Sequence, residues 1–260
     1  TRVSSTMIMV LAPHAAYSNV AVFHAGGDVN LNRLMSTVLP GAQHLQALQN
    51  ATMRMTTAEA SLWFDALQRA HSYLEWGTGG STVVASWLSL QNSTSLRQIY
   101  AIDSSLEWFS KLRLQSDVIA RAEKRGRATL RVANIGRTLA WGVPEGWTNR
   151  SSKVQSAQAQ SYVEERTSCC FDVILVDGRF RKACLLHALR LAHRNTTVLV
   201  HDAPRYLDHR AVRLYYDVVA RKDTIAQLRP KDGAVNNAKS GDPDYLRLYT
   251  QLLYDWARRR

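Results

Sequence analysis

Cysteine is scarce in this chain: Cys169, Cys170 and Cys184 are the only three in 260 residues. Three thiols exclude a disulfide framework as the source of stability, and their spacing suits no zinc site. Cys184 falls in a helical apolar pattern, which predicts a core position. No apolar run reaches the roughly 18 residues of a bilayer-spanning helix; Met7 to Leu11 is too short for an anchor, though it can be the tail of one. Acidic residues are outnumbered, 21 against 33 Lys and Arg, for a net charge of +12. That balance favours acidic substrates, nucleic acid or membrane surfaces as encounter partners, and equally describes a well-solvated basic surface. Arg121 to Arg127 and Arg258 to Arg260 are its local clusters. No recognisable nucleic-acid module accompanies the charge, so nucleic acid is not an expected partner. Internal repeats are absent too. What is present is an ordinary apolar fraction of 46%, enough for a sizeable core in one large α/β domain or two small ones.

The most informative stretch is Tyr73-Leu74-Glu75-Trp76-Gly77-Thr78-Gly79-Gly80-Ser81-Thr82-Val83-Val84-Ala85. An apolar run ends in an acid, glycines follow, and a small-residue helical pattern begins at once. This reads as a strand, a tight turn and a helix N-terminus, where backbone N–H groups can approach a ligand without a Cβ in the way. A dinucleotide fingerprint needs glycine at the sixth loop position, where Thr82 stands, and a phosphate-cradling loop would end in Gly-Lys-Ser/Thr, with no lysine here.

Residues 1–55 carry turn signals (Gly26-Gly27-Asp28, Pro40-Gly41) but no strong period, and read as a loosely packed lead-in to a domain over 56–260. Thr56 to Glu59 forms a capping box ahead of a stripe of Ala58, Leu62, Ala66 and Ala70 with Trp63 and Leu67. Ser81 to Leu90 reads as a helix and Gln98 to Asp103 as a second strand; Ser104, with Glu107 three residues on, starts the next helix. Asp103 lies about 20 residues past the glycines, where a carboxylate at the second strand tip of a βαβ unit reaches two vicinal ribose hydroxyls. A third strand covers Ala128 to Val132. The polar stretch 145–168 is expected as an inserted loop or lid. Phe171 to Gly178 is the clearest buried strand, Phe180 to His193 a helix, and Thr196 to Asp202 a fifth strand. Tyr206 to Tyr215 looks helical, 218–228 a hairpin through Lys222-Asp223, and Asp242 to Arg259 a terminal helix. Strands ending in Glu75, Asp103, Asp177 and His201-Asp202, alternating with helices, imply an α/β fold with a parallel sheet and its ligand at the carboxyl edge.

Three blocks occur in order: Leu74 to Thr82; Ile135-Gly136-x-Thr138-x-x-Trp141-Gly142-x-Pro144; and Asp177-Gly178-Arg179-Phe180-Arg181-x-Ala183-Cys184. With His201-Asp202 they resemble a group of Rossmann-like (class I) S-adenosylmethionine (SAM) dependent methyltransferases, over roughly residues 55 to 230. The resemblance implies a three-layer sandwich around a mostly parallel seven-stranded sheet with a C-terminal antiparallel hairpin. It implies SAM as cofactor, with Glu75, Gly77, Thr78, Gly79, Gly80 and Ser81 at the methionine portion, Asp103 and Ser104 at the ribose, and Asn134 and Ile135 at the adenine. Asn134 stands where many such enzymes place an acid. Asp177 would lie beside the sulfonium and the acceptor.

For catalysis, His201 is the candidate base, oriented by Asp202 or Asp177, which favours an oxygen acceptor. A divalent metal on Asp177 and Asp202 is the less favoured alternative. Arg179 and Arg181 are expected to clamp a carboxylate or phosphate of the acceptor, a glycan or another small hydroxylated compound; either arginine can equally pair with Asp177 or Asp202. Trp141, Trp147 and Tyr206 are candidates both for the acceptor wall and for the core. The competing functions are an NAD-dependent oxidoreductase, an aminopropyl transferase and a non-catalytic module for acidic polymers. Four Asn-x-Ser/Thr sequons, at Asn50, Asn92, Asn149 and Asn195, exceed chance and point to a secretory lumen, with the cytoplasm as the other compartment. Oligomeric state has no signature.

Overall fold

The computed structural model describes residues 53–139, 142–165 and 169–255. The expected lead-in before residue 53, the Asn50 sequon, Trp141 and the 258–260 arginine cluster lie outside the described residues. No helix among those described is long and apolar enough to cross a membrane. The sequon asparagines Asn92, Asn149 and Asn195 are exposed.

The chain opens with α1 (Thr57–Leu67), capped by Thr56 and Glu59 in the expected reciprocal box. It continues through β1 (Ser72–Trp76), α2 (Gly80–Ser89), β2 (Gln98–Asp103), α3 (Leu106–Gln115), α4 (Asp117–Lys124) and β3 (Ala128–Val132). Then come α5 (Ser152–Val163), β4 (Phe171–Val176), α6 (Arg181–Arg190), β5 (Ala192–Val200), α7 (Arg210–Tyr215), β6 (Tyr216–Lys222), β7 (Ile225–Pro230), α8 (Ala234–Ser240) and α9 (Pro243–Asp255). The seven strands form one sheet in the order β3-β2-β1-β4-β5-β7-β6, parallel except for β7, which runs antiparallel to both neighbours. This is the mostly parallel sheet with a closing antiparallel hairpin that the sequence led us to expect.

Alternation along each strand sends successive side chains to opposite faces. Leu74, Trp76, Ile102, Ile174, Val176, Val198 and Val200 join α5, α6, α8 and α9 in the larger core. Tyr73, Ile99, Val173, Leu175 and Leu199 face the other way, onto α1 and α2. Central β1 is buried at every position, as a strand covered on both faces must be. Register aligns the tips: Trp76 pairs with Ile102 on one side and Val176 on the other, and Val176 pairs with Val200. The chain winds outward from β1 to β3, then returns to β4 and winds the other way. The switch point therefore lies between β1 and β4, where ligands of such sheets bind.

Four local expectations are corrected. The 145–168 stretch is not a loop throughout, since residues 152–163 form α5. Its buried face includes Gln155 and Ser156 beside Ala159, Tyr162 and Val163, so no apolar stripe marks it. Ser105, not Ser104, caps α3, accepting from Trp108 N. The Tyr206–Tyr215 helix shrinks to α7, after a 3-10 turn at Ala203–Arg205. The terminal helix is preceded by α8, ended by Gly241 in the left-handed conformation. Cys184 is buried and free, whereas the adjacent Cys169 and Cys170 are joined as a disulfide.

Candidate active site

The glycine loop leaves β1 through Gly77, whose φ of +92° only glycine adopts without strain. Packing demands glycine there as well, because a Cβ would lie 2.6 Å from the backbone of Gly178. Gly178 in turn touches Gly77 and the Tyr162 hydroxyl. Two backbones thus meet side by side at the switch point. Gly79 is different: its φ of 177° is open to any residue, and a Cβ would meet nothing within 4 Å. The space over Gly79 is therefore open.

Glu75 sits beneath this loop, fully buried. Its Oε2 accepts from the Tyr73 and Ser81 hydroxyls, both at 2.8 Å. Oε1 has no hydrogen-bond partner. Burial raises the Glu75 pKa; the nearby hydroxyls of Thr82, Ser81 and Tyr73 oppose the rise, and the Asp177 charge adds to it, leaving a value of about 7. The Thr82 hydroxyl also accepts from Gly79 N at 2.9 Å.

Asp103, at the β2 tip, binds the loop directly. Its Oδ2 accepts from Thr78 N at 2.8 Å and Thr78 Oγ1 at 3.0 Å, while Oδ1 accepts from the Ser104 and Ser105 N–H groups. These four donors fill the roughly four acceptor positions of a carboxylate. Of the four, the Thr78 hydroxyl is the one side-chain donor, and rotation about its Cα–Cβ bond can withdraw it. Trp108 Nε1 donates to Thr78 O at 2.8 Å and fixes the far side of the loop. Asn134 is exposed at the end of β3, its Oδ1 accepting from Gly136 N, and Ile135 is buried. Arg150, which sequence reasoning missed, secures this turn: Nη1 donates to Ile135 O at 2.8 Å and Nη2 to Glu145 O at 2.7 Å.

At the tips of β4 and β5 the polar groups are bound to one another. Arg181 is 9% exposed. Its Nε donates to Gly178 O at 3.0 Å, Nη1 to His201 O and to Asp202 Oδ2 at 3.1 Å, and Nη2 to Asp177 O at 2.9 Å, while Nη2 also lies 3.0 Å from Asp177 Oδ1 as an ion pair. Four hydrogen bonds and two ion pairs thus engage all three of its nitrogens. Arg181 therefore ties β4 to β5, taking up the pairing with Asp177 and Asp202 that stood beside the substrate clamp as an expectation for it. It also stands between Asp177 and Asp202, where a shared metal would have to sit. Among the described residues no group of three or more His, Cys, Asp or Glu side chains converges as a metal site.

His201 is held at both ring nitrogens. Nδ1 lies 3.1 Å from Asp177 Oδ1; Nε2 lies 3.5 Å from Glu59 Oε2 and 3.3 Å from Thr224 Oγ1. Burial lowers its pKa, but the hydrogen bond and charge of Asp177 and the charge of Glu59 outweigh burial and the opposing Arg181, so the imidazole titrates above its usual value. A histidine bracketed by two carboxylates has no free nitrogen to offer a substrate. Of the two expected orienting partners, Asp177 is in hydrogen-bond contact with the ring and Asp202 is not. Glu59 was legible only as part of a capping box, yet it also accepts from Thr224 N at 2.7 Å.

Two groups at this edge keep bonding capacity toward the crevice. Asp177 Oδ2 has no hydrogen bond or ion pair among the described residues, its partners all lying on Oδ1. The half-buried Arg179 guanidinium likewise has none among the described residues. Burial and then the like charge of Arg181 lower its pKa, against the charges of Tyr162, Tyr206 and Asp103. Trp147 and Phe180 pack together with ring centroids 5.4 Å apart, and both belong to the core. Tyr206 lies under the Arg181 guanidinium.

No family model and no curated protein match the chain. Solved structures do. A methyltransferase-like protein from Silicibacter pomeroyi is 21% identical with a TM-score of 0.56, over 78% of this chain and 96% of that one. The rRNA methyltransferase aviRa from Streptomyces viridochromogenes gives 14% identity and a TM-score of 0.36, over 86% and 99%. Spermidine synthase from Thermotoga maritima gives 12% and 0.36, over 70% and 60%. The last two likenesses are too distant to bear weight. With the sheet order and switch point above, the first shows that this chain has the α/β Rossmann-like methyltransferase fold.

Proposed function

We propose that the protein is a SAM-dependent methyltransferase acting on the hydroxyl of a small or glycan acceptor that carries an anionic group. The observation that carries this reading is the joining of Thr78 to Asp103 at the switch point, below the open space over Gly79. The residues present fit a sulfonium nucleoside. Gly79 leaves room, Glu75 Oε1 is an unsatisfied buried acceptor, and Asp103 stands at ribose distance along the chain.

SAM, when bound, supplies an electrophilic methyl group. The protein's task is alignment of the acceptor, worth roughly 7–11 kcal/mol in well-oriented reactions, and removal of one proton. An alcohol oxygen becomes strongly acidic as it is alkylated, so a carboxylate suffices to take its proton. Asp177 Oδ2 is the group with capacity for that. His201 and Arg181 hold Oδ1 and fix the carboxylate from behind, which makes them positioning residues. Arg179, with uncommitted donors, is the residue to meet the acceptor's anionic group.

The test is incubation with methyl-labelled SAM and a panel of hydroxylated acceptors, with and without a carboxylate or phosphate. Mass spectrometry should find label on oxygen of anionic members and none after Asp177→Asn. Label on nitrogen, or transfer indifferent to the anion, would overturn the acceptor assignment.

A further inference from the structure

The basic run Arg121 to Arg127 plays no part in the site above. Its continuation lies at the opposite edge of the sheet, where a hollow of about 260 Å³ is lined by Ser89, Leu90, Gln91, Asn92, Arg97, Arg125 and Arg127. Three arginines line it and no acid does. None of the three forms an ion pair among the described residues; the neighbouring acids are spent elsewhere, Glu123 on Arg113 and Asp117 on Arg121.

Helix ends offer a competing explanation, because α2 and α4 both finish here. Each C-terminus carries roughly −0.5 of an elementary charge, so two ends offset about one of the three positive charges. Their carbonyls are moreover satisfied by the chain itself. Gln91 N and Thr94 Oγ1 donate to Leu88 O, and Arg125 N, Gly126 N and Arg127 N donate to the last turn of α4. Of the guanidinium donors, Arg97 Nη1 alone is spent on a backbone oxygen, Leu96 O at 2.7 Å. About two positive charges remain, on planar forks shaped for oxyanions. The volume falls below the ~300–1,000 Å³ of sites for whole drug-sized ligands, so it suits a headgroup.

We propose that this hollow is a binding site for a doubly charged phosphate oxyanion, separate from the methyl-transfer edge. Its ligand is either free inorganic phosphate or the phosphoryl group of a larger molecule. The site rests on charge and shape alone and stands whether or not the chain binds SAM.

Calorimetry at constant ionic strength tests it, with inorganic phosphate, phenyl phosphate and nitrate, on protein made without glycosylation because Asn92 heads a sequon. Saturable binding of phosphate or phenyl phosphate, and none of nitrate, is expected. Affinity for phenyl phosphate should rise severalfold as pH passes its second pKa of about 6, and affinity for inorganic phosphate should rise likewise at the higher pH where that ion takes its second charge. Phenyl phosphate binding tighter than phosphate identifies a phosphoryl group on a carrier; equal affinity identifies the free ion. Arg97→Gln/Arg125→Gln/Arg127→Gln should lose at least tenfold, and Arg125→Gln alone a smaller part, with thermal unfolding unchanged in both. No saturable binding, equal binding of nitrate, or binding undiminished in the triple variant overturns the proposal.

Discussion

The two halves of the carboxyl edge solve the same problem in opposite ways. At β4 and β5, four polar residues (Asp177, Arg181, His201 and Asp202) are bound to one another, and all three nitrogens of the Arg181 guanidinium are engaged. At β1 and β2, the loop is held by Thr78 on Asp103 and by Trp108 on Thr78 O, and among the described residues Glu75 Oε1 is left unpaired with open space above Gly79. Among those residues the first half keeps only Asp177 Oδ2 and the Arg179 guanidinium uncommitted, whereas the second leaves a buried acceptor incomplete. Buried acceptors without partners are rare because each costs about 1–3 kcal/mol, so the incomplete half is where a ligand is to be expected.

Substitutions at the seam between the halves should have the largest effect. Gly77→Ala adds a Cβ 2.6 Å from Gly178 at a positive φ and should cost about 3 kcal/mol or more, read as the midpoint of urea unfolding. A near-neutral result would mean that the two backbones separate easily. Next comes Arg181→Met, which strands Asp177 and Asp202. Because both acids are about one third exposed, the loss should be about 2–3 kcal/mol, below that of a fully buried pair. SAM affinity, which depends on the other half, should change little.

The pH response separates the halves further. Glu75 has its pKa raised from 4.5 to about 7, so its contribution to stability is greatest below 4.5 and falls as pH rises to 7, by at most about 3 kcal/mol. His201 is raised as well, and its contribution is lost as pH rises through its folded value above 6.5. Glu59 and Asp172 are lowered against burial, Glu59 by bonds from Thr224 and Thr56, Asp172 by those from His193, His71 and Ser72. Their contribution is lost as pH falls below the usual carboxylate range. Stability should therefore peak near about pH 5. Glu75→Gln should flatten the decline between pH 5 and 7, measured by denaturant titrations across that range; an unaltered slope would put the proton elsewhere. The smallest effect is expected at α1, where Thr56→Ala removes the N-cap acceptor for about 1 kcal/mol.

How legible each half was follows from the range of its contacts. The boundaries of β2 and β3 and the glycine loop could be read directly, because a period, an acid and a turn lie within ten residues of one another. Helix α5 could not be, since its buried face uses Gln155 and Ser156. The role of Arg181 was open between ligand and ion pair. What decides it is the pairing of Val176 with Val200, which brings Asp202 to a guanidinium 21 residues earlier in the chain. Likewise nothing near Glu59 announces Thr224, 165 residues away. His201-Asp202 suggested an oriented base, yet the backbone at Asp202 is left-handed, with φ 54°, and that side chain turns to Arg181 while Asp177 takes the ring.

Titration calorimetry of SAM against the wild-type protein and Asp103→Asn tests the central claim most directly. SAM and S-adenosylhomocysteine should both bind the wild type, and the substitution should weaken both by about 10- to 100-fold, the loss of one charge-assisted hydrogen bond. Absence of binding to folded wild-type protein, or equal affinity in the variant, would contradict the account.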